Sequence, residues 1–206
     1  MIPAKTDLIK TFFDQYHVLT DREFERFKNY IRFISLKQRE RLTDEGEVEH
    51  YVYFVVEGIL RKYFRNGKQE IATGFFTENQ LCHASISYFT GAPSSVILEA
   101  IEPTTCFAIH QKDLEMLLNE IPGLEKIFRA VMSQLYIRKD MEQMHVLTLT
   151  KKERFLDFCE KNPELLQRVP QKQLASYLDI QPETFCRMKQ LRYKLAHQSR
   201  SGERKN

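Results

Sequence analysis

The sequence has few of the features that mark membrane and secreted proteins. No apolar run approaches the ~20 residues that a spanning helix needs, which argues against an integral membrane protein. The start, from Met1 to Asp7, has no apolar stretch followed by small residues, so no signal peptide is visible. Seven glycines and seven prolines in 206 residues exclude a collagen-like or linker-dominated chain. We expect a globular cytoplasmic protein.

Cysteines are scarce and scattered. They are Cys82, Cys106, Cys159 and Cys186. No two lie closer than 24 positions, whereas metal knuckles and redox pairs place cysteines about two to four positions apart. A disulfide framework is not expected in a cytoplasmic chain of this length. We predict four free, mostly structural thiols, and neither a metal site nor a cofactor.

Motifs that carry catalysis are also missing. The sequence has no G-x-S-x-G elbow, P-loop, Rossmann fingerprint or H-E-x-x-H pair. A cupin-type metal site needs His-x-His followed by Glu, but Val52 stands two positions after His50, with Glu57 beyond. One imidazole and one distant carboxylate cannot supply the three or four ligands of a metal site. We predict that the protein is not an enzyme.

The charge is unevenly distributed. Residues 1–150 carry 18 basic and 21 acidic side chains, whereas residues 151–206 carry 13 basic and 7 acidic ones. A basic segment at one end of a mildly acidic chain indicates a partner with phosphates, although a solubilising basic tail has the same composition.

The first two thirds of the chain predict helices around a β-rich segment. Asp7 to Phe33 is expected to be helical, with a T-x-x-E capping box at Thr20–Glu23. From Phe33 to Ile109, short β-rich runs alternate with turn signals, and Asn66-Gly67 is a hairpin signal. The predicted strands are Val48–Val56, Ile59–Phe64, Ile71–Phe76, Val96–Ile101 and Thr105–Ile109. This spacing indicates a small barrel or roll.

Helix is expected again at Asp113–Asn119 and then over a long run from Ile121 to Val146. Its apolar residues recur at the four-three spacing of a coiled-coil seam, although packing on the chain's own barrel gives the same pattern. They are Leu124, Phe128, Val131 and Leu135. We predict a homodimer through this stripe, since it would otherwise face water.

A second capping box, Thr150–Glu153, opens another helix after Leu147. We therefore predict three parts: a β-rich domain with flanking helices over residues 1–120, a dimerisation helix over 121–147 and a helical domain over 148–206.

The last part has the plan of a helix-turn-helix. A short amphipathic helix with Leu174, Ala175 and Leu178 is followed by a tight turn at 179–181, and Pro182 begins a second helix.

Read at ~100° per residue, the second helix has two faces. Phe185, Met188, Leu191 and Leu195 are predicted to pack inward. The opposite stripe has residue types that contact base edges, although a solvated polar face would look alike. We predict that DNA is contacted by Glu183, Thr184, Arg187, Gln190, Lys194, Lys189 and Arg192, of which the last three contact phosphates.

Two stretches of the sequence resemble the Crp/Fnr family of transcription regulators. One is Leu42-x-x-x-Gly46-Glu47 followed by Tyr53-Phe54-Val55-Val56-Glu57-Gly58, and the other joins Leu174–Leu178 to Pro182–Arg187. The resemblance implies an α+β fold: a cyclic-nucleotide-binding-type β-roll with flanking helices, a long dimerisation helix and a helix-turn-helix domain with a reduced or absent wing. Glu183 and Arg187 match the family's base-contacting residues, and Pro182 replaces a further Arg of some members.

The resemblance makes residues 1–120 an effector domain and residues 148–206 a DNA-binding domain, and it also locates an effector pocket. Family members bind cyclic nucleotide with a Gly-Glu pair and an Arg-Ser or Arg-Thr pair; here the matching positions are His83-Ala84 and Ser94-Ser95. Both charged groups are missing, and an uncompensated phosphate in a closed pocket is costly. We therefore expect no tight cyclic AMP binding, while another ligand, or none, remains open. His83, His110 and Cys82 are haem-ligand candidates without a supporting pattern.

The resemblance implies a homodimeric, sequence-specific regulator whose partners are double-stranded DNA with an inverted-repeat operator, RNA polymerase and an unidentified small-molecule effector. The alternative is a ligand-sensing or protein-interaction module that has the same fold and does not bind DNA. The charged stripe of the second helix argues against this alternative, because a protein-docking face should be more apolar.

Overall fold

The computed structural model describes the backbone of residues 2–202 and the side chains of residues 6–192. The helices are α1 (Ile2–Asp14), α2 (Asp21–Lys28), α3 (Ser85–Thr90), α4 (Gln111–Glu120), α5 (Pro122–Thr148), α6 (Lys151–Lys161), α7 (Leu165–Arg168), α8 (Gln171–Tyr177) and α9 (Pro182–Gly202). The strands are β1 (Ile31–Leu36), β2 (Arg41–Thr43), β3 (Tyr51–Glu57), β4 (Leu60–Asn66), β5 (Gln69–Phe76), β6 (Leu81–Cys82), β7 (Ile97–Ala100) and β8 (Thr104–His110). In the described part of the chain, every helix is too short or too polar to cross a membrane.

The strands form a roll of two four-stranded sheets. One sheet has the order β1-β8-β3-β6 and the other β2-β7-β4-β5. β8 pairs antiparallel with both β1 and β3, so that Phe107 lies opposite Phe33 on one side and Phe54 on the other. The predicted α+β fold with a β-roll is confirmed.

Successive side chains of β3 and β8 point to opposite faces, as the period of a strand requires. Tyr53, Val55 and Cys106 contribute to a buried cluster that also contains Leu60 and Leu98 of the other sheet. The alternate residues, which include Phe54 and Phe107, pack with helices α1, α2, α4 and α5. The sheet is thus covered on both faces.

One tight approach of the backbone requires glycine. Gly58, between β3 and β4, has φ +98°, and a Cβ atom there would lie 2.7 Å from the carbonyl oxygen of Pro103. The glycine lets the two sheets be connected by a short turn.

The N-terminal helical prediction is correct within α1 and α2 and wrong between them, at residues 15–20, and at its end. The capping box of α2 forms, since the amide of Thr20 donates to Glu23 and the amide of Glu23 donates to the Thr20 hydroxyl. The chain leaves the helix after Lys28, and Ile31–Leu36 forms β1. This segment is a strand because it pairs with β8, which is distant in the sequence, and this pairing outweighs the local helical spacing.

The premise that the stripe of α5 faces water is wrong. Leu124 and Val131 are 2% and 6% exposed in the core beside the sheet, and Phe128 and Leu135 pack against the same core. A helix that covers a barrel repeats its apolar residues with the same spacing as a coiled-coil seam, so the pattern alone does not separate the two.

The chain divides into two compact units, and the division falls within α5, after Lys139. Most of the second unit is helical. Its capping box at Thr150 forms as predicted, since the amide of Thr150 donates to Glu153 and the amide of Glu153 donates to the Thr150 hydroxyl. Between Lys151 and Gly202 the described backbone has no β-hairpin that would serve as a wing.

Candidate nucleic-acid interface and effector cassette

The turn between α8 and α9 is fixed by its backbone. The amide of Leu178 donates to Leu174 O at 3.1 Å, and the amide of Ile180 donates to Ala175 O at 2.9 Å. Asp179 between them has φ +53°, a left-handed conformation that Asp tolerates better than most residues. Ile180 is 6% exposed, so the apolar residue of the turn is buried. The predicted helix-turn-helix geometry is present.

The buried side of α9 is set by one aromatic residue. Phe185 is fully buried, and its ring meets that of Phe155 on α6 edge to face, with centroids 5.2 Å apart. Met188 is half-buried. Leu191 is 54% exposed, so its predicted inward packing is wrong, while the side chain of Leu195 lies outside the described residues.

The other side of α9 presents polar groups. Glu183, Arg187 and Gln190 are exposed and follow each other at intervals of four and three positions, so they form one stripe. Thr184 is half-buried at its edge. The exposed Cys186 thiol donates to Oε1 of Gln171 at 3.0 Å. A guanidinium, an amide and a carboxylate in one line can donate to and accept from base edges.

Two of the predicted phosphate contacts lie toward neighbouring helices. Lys189 Nζ lies 3.4 Å from Leu166 O in α7, and Arg192 Nη2 lies 3.4 Å from Cys159 O in α6. Both are weak, long hydrogen bonds that leave donor capacity for a phosphate. The side chain of Lys194 lies outside the described residues.

The segment from His83 to Ser95, called the effector cassette below, follows β6. It has no charged side chain at the four positions that match the family's cyclic-nucleotide contacts, which are His83, Ala84, Ser94 and Ser95. Ala84, before α3, is 1% exposed and offers no capping side chain. The hydroxyl of Ser94, which is 4% exposed, donates to Val96 O at 2.7 Å. Ser94 also exchanges backbone hydrogen bonds with the Gly46-Glu47 turn, at 2.8 and 2.7 Å. Ser95 is exposed.

A buried carboxylate lies beside this cassette and was not predicted from the sequence. Glu49 is 2% exposed, and its backbone amide donates to the Ser87 hydroxyl of α3 at 2.9 Å. Its carboxylate accepts from the hydroxyls of Thr43 and Tyr53 and from the amide of Tyr51. Burial, and then the charge of Glu49, raise the pKa of Tyr53. This arrangement places negative charge next to α3, where it opposes a phosphate.

His83 is not a cation in this setting. Its side chain is buried, and burial followed by the charge of Lys62 lowers its pKa to about 4. The Lys62 ammonium donates to the backbone carbonyl of His83 at 3.3 Å. At neutral pH the imidazole is therefore uncharged and cannot replace the missing guanidinium.

The other two candidate haem ligands, His110 and Cys82, have structural roles. Nδ1 of His110 accepts from the amide of Lys112 at the start of α4. Cys82 is 1% exposed, and burial raises the pKa of its thiol. Among the residues that the structure describes, no group of three metal-ligating side chains comes together.

Comparisons with known proteins agree with this geometry. A family model of the cyclic nucleotide-binding domain matches residues 33–120, which carry the roll. A search of curated protein sequences finds no significant match.

Solved structures of similar fold extend over more of the chain. FixK2 from Bradyrhizobium japonicum is 19% identical at a TM-score of 0.66, covering 81% of this chain and 86% of FixK2. The c-di-GMP responsive global regulator CLP of Xanthomonas campestris is 17% identical at 0.66, covering 85% and 93%. The catabolite activator protein of Thermus thermophilus is 18% identical at 0.53, covering 88% and 85%. The chain shares the fold of these proteins, including the helical C-terminal part.

Proposed function

We propose that the chain is a transcription regulator of the Crp/Fnr type that binds double-stranded DNA through α9. The observation that carries the proposal is the orientation of α9 about its own axis, which determines which of its side chains are buried and which are exposed. Phe185 is fully buried, while Glu183 and Arg187 are exposed on the opposite side. A second helix held in this way by a preceding helix and a tight turn is the element that enters the major groove in helix-turn-helix proteins.

Arg187 is the centre of the proposed readout. A guanidinium donates two parallel hydrogen bonds to O6 and N7 of guanine, the commonest specific contact in the major groove. Glu183, one turn earlier, accepts from the amino group of cytosine, and Gln190 pairs with adenine. The excess of basic residues over residues 151–206 supplies the attraction to phosphates that all sequences share.

Dimerisation is proposed through a face of α5 other than the predicted stripe. Ile137, Met141 and Met144 are between 54% and 59% exposed and follow at intervals of four and three. At ~100° per residue they lie about 120° around the helix from Leu124 and Val131. An exposed apolar line with heptad spacing on a 27-residue helix fits the same line of a second copy.

The proposed regulator does not respond to cyclic AMP. The cassette has no charged side chain at its four matching positions, and the buried Glu49 lies beside α3. CLP is described as responsive to c-di-GMP, so a protein of this fold can respond to a ligand other than cyclic AMP. The effector of the present chain is taken to be a different molecule, and RNA polymerase remains its proposed partner at promoters.

Selection of bound duplexes from a random DNA pool with the full-length protein tests the proposal. The expected product is an inverted repeat with half-sites about 34 Å apart, one helical turn, because a symmetric dimer presents two α9 helices. Enrichment of a single half-site would contradict the dimer but not the readout. Failure to enrich any sequence, with a folded protein, would leave the interaction module as the better account.

A further inference from the structure

The thiol of Cys186 joins the two helices of the helix-turn-helix on their outer surface. Its Sγ lies 3.0 Å from Oε1 of Gln171, the first residue of α8. Both side chains are exposed, so the contact is not part of the core that holds α8 and α9 together. It is a hydrogen bond between two surface side chains, one from each helix.

Cys186 lies at one edge of the stripe formed by Glu183, Arg187 and Gln190. At ~100° per residue it is displaced about 65° from the middle of this stripe. Because Cys186 contacts Gln171, this edge of the stripe is the one next to the start of α8. In a helix-turn-helix the first helix crosses the DNA backbone while the second lies in the major groove. Gln171 is therefore placed beside the proposed reading face, at the level of the backbone.

The hydrogen bond decides which end of the Gln171 amide is available to DNA. The thiol engages Oε1, and the amide nitrogen Nε2 keeps its two N–H donors. Phosphate oxygens only accept hydrogen bonds, so an amide that presents its nitrogen is complementary to them and one that presents its oxygen is not. The exposed ammonium group of Lys172, the next residue, adds positive charge at the same place.

The contact also orders the side chain before DNA arrives. A glutamine has three rotatable side-chain bonds, and fixing them on binding costs conformational entropy. A group that is already held in its bound conformation avoids part of this cost, which raises affinity without a new contact.

We propose that Cys186 is a positioning residue for DNA binding, whose thiol holds Oε1 of Gln171 so that Nε2 donates to a phosphate beside the bases that Arg187 contacts. The inference rests on the proposed function and adds to it a backbone contact from α8 that depends on a side chain of α9. Because phosphates are the same in every sequence, this contact strengthens binding to all duplexes alike.

A double-mutant cycle in the full-length protein tests the inference, with affinities for the selected duplex and for a scrambled one measured by fluorescence anisotropy. Cys186→Ala and Gln171→Ala should each weaken both duplexes about three- to fivefold, the value of one neutral hydrogen bond. The double variant should lose no more than Gln171→Ala alone, because both substitutions remove the same contact. Cys186→Ser, which keeps a donor at this position, should bind within about twofold of the wild type.

Gln143→Ala is the matched control, because it makes the same replacement as Gln171→Ala at an exposed position of α5. It should bind both duplexes like the wild type. Losses that multiply in the double variant would overturn the inference, as would wild-type affinity in Gln171→Ala or a Cys186→Ser variant as weak as Cys186→Ala. If Arg187→Ala still weakens the selected duplex in that case, the proposed function stands, whereas a wild type that binds neither duplex overturns both.

Discussion

The ring of Phe155 meets the ring of Phe185 edge to face, with centroids 5.2 Å apart and the two planes at 87°. This contact between α6 and α9 fixes the orientation of the second helix of the helix-turn-helix about its own axis. Because Phe185 is directed inward, Arg187 two positions later is directed outward. The proposed DNA readout therefore depends on a contact in the core of the second unit.

Phe185→Ala should destabilise the second unit by about 3–5 kcal/mol, since it leaves a cavity at a fully buried position. Leu191→Ala on the same helix, at a 54% exposed position, should change stability by less than about 0.5 kcal/mol. Urea unfolding followed by circular dichroism measures both variants. Equal effects of the two substitutions would contradict the orientation of α9 that buries Phe185 and exposes Leu191.

The exposed line on α5 predicts a dimer that a single charge disrupts. Met141→Glu should yield monomers, because it places two carboxylates face to face across the two copies. Gln143→Glu is the matched control: it adds the same charge to an exposed position of the same helix, away from the apolar line. Light scattering after gel filtration distinguishes a 24.5 kDa monomer from a dimer. A wild-type mass near 24.5 kDa would contradict the proposed dimer.

The cassette predicts an absence of cyclic AMP and cyclic GMP binding. A ligand at 100 times its dissociation constant stabilises the folded state by about 2.7 kcal/mol, which raises the melting temperature of a chain of this length by several degrees. No such shift is expected with either nucleotide at millimolar concentration, because Ala84 and Ser94 offer no charge and Glu49 opposes a phosphate. Isothermal titration serves as the second readout, and a saturable heat would refute this part of the account.

His83 predicts a particular pH dependence of stability. Its pKa falls from an ordinary 6.5 to about 4 in the folded chain, chiefly through burial. Between these values the unfolded chain binds a proton that the folded chain does not, so acidification favours unfolding. The loss amounts to about 3 kcal/mol once the pH is below both values.

Urea unfolding at pH 7 and at pH 4.5 measures this loss as the difference between wild type and His83→Phe. The variant should lose less stability on acidification, whereas His50→Phe, which makes the same replacement at an exposed position, should follow the wild type. If His83→Phe and the wild type lose the same amount, His83 is charged or exposed in solution, contrary to the structure.

Local sequence signals were reliable where the determining contacts are local. Both capping boxes form, at Thr20 and Thr150, because each is made by residues three positions apart. The turn before Pro182 was predictable for the same reason. Ile31–Leu36 was not, since its strand partner Thr104–His110 lies some seventy positions later.

The candidate site shows the same limit. The stripe of Glu183 and Arg187 follows from helical spacing alone. The inward stripe of α5 was attributed to a dimer because the sheet that covers Leu124 cannot be read from the helix itself. Glu49 was missed because a buried carboxylate is recognised by its three donors, which come together only in the fold.

The central claim, base readout by α9, is tested most directly by the affinity of Arg187→Ala for the selected DNA site and for a scrambled duplex, measured by fluorescence anisotropy at one salt concentration. Arg22→Ala, which removes the same charge from an exposed position of α2, is the control. Arg187→Ala is predicted to lose about 1–3 kcal/mol on the selected site, with little change on the scrambled one, while Arg22→Ala matches the wild type on both. Equal affinity of wild type and Arg187→Ala for the selected site would contradict the account.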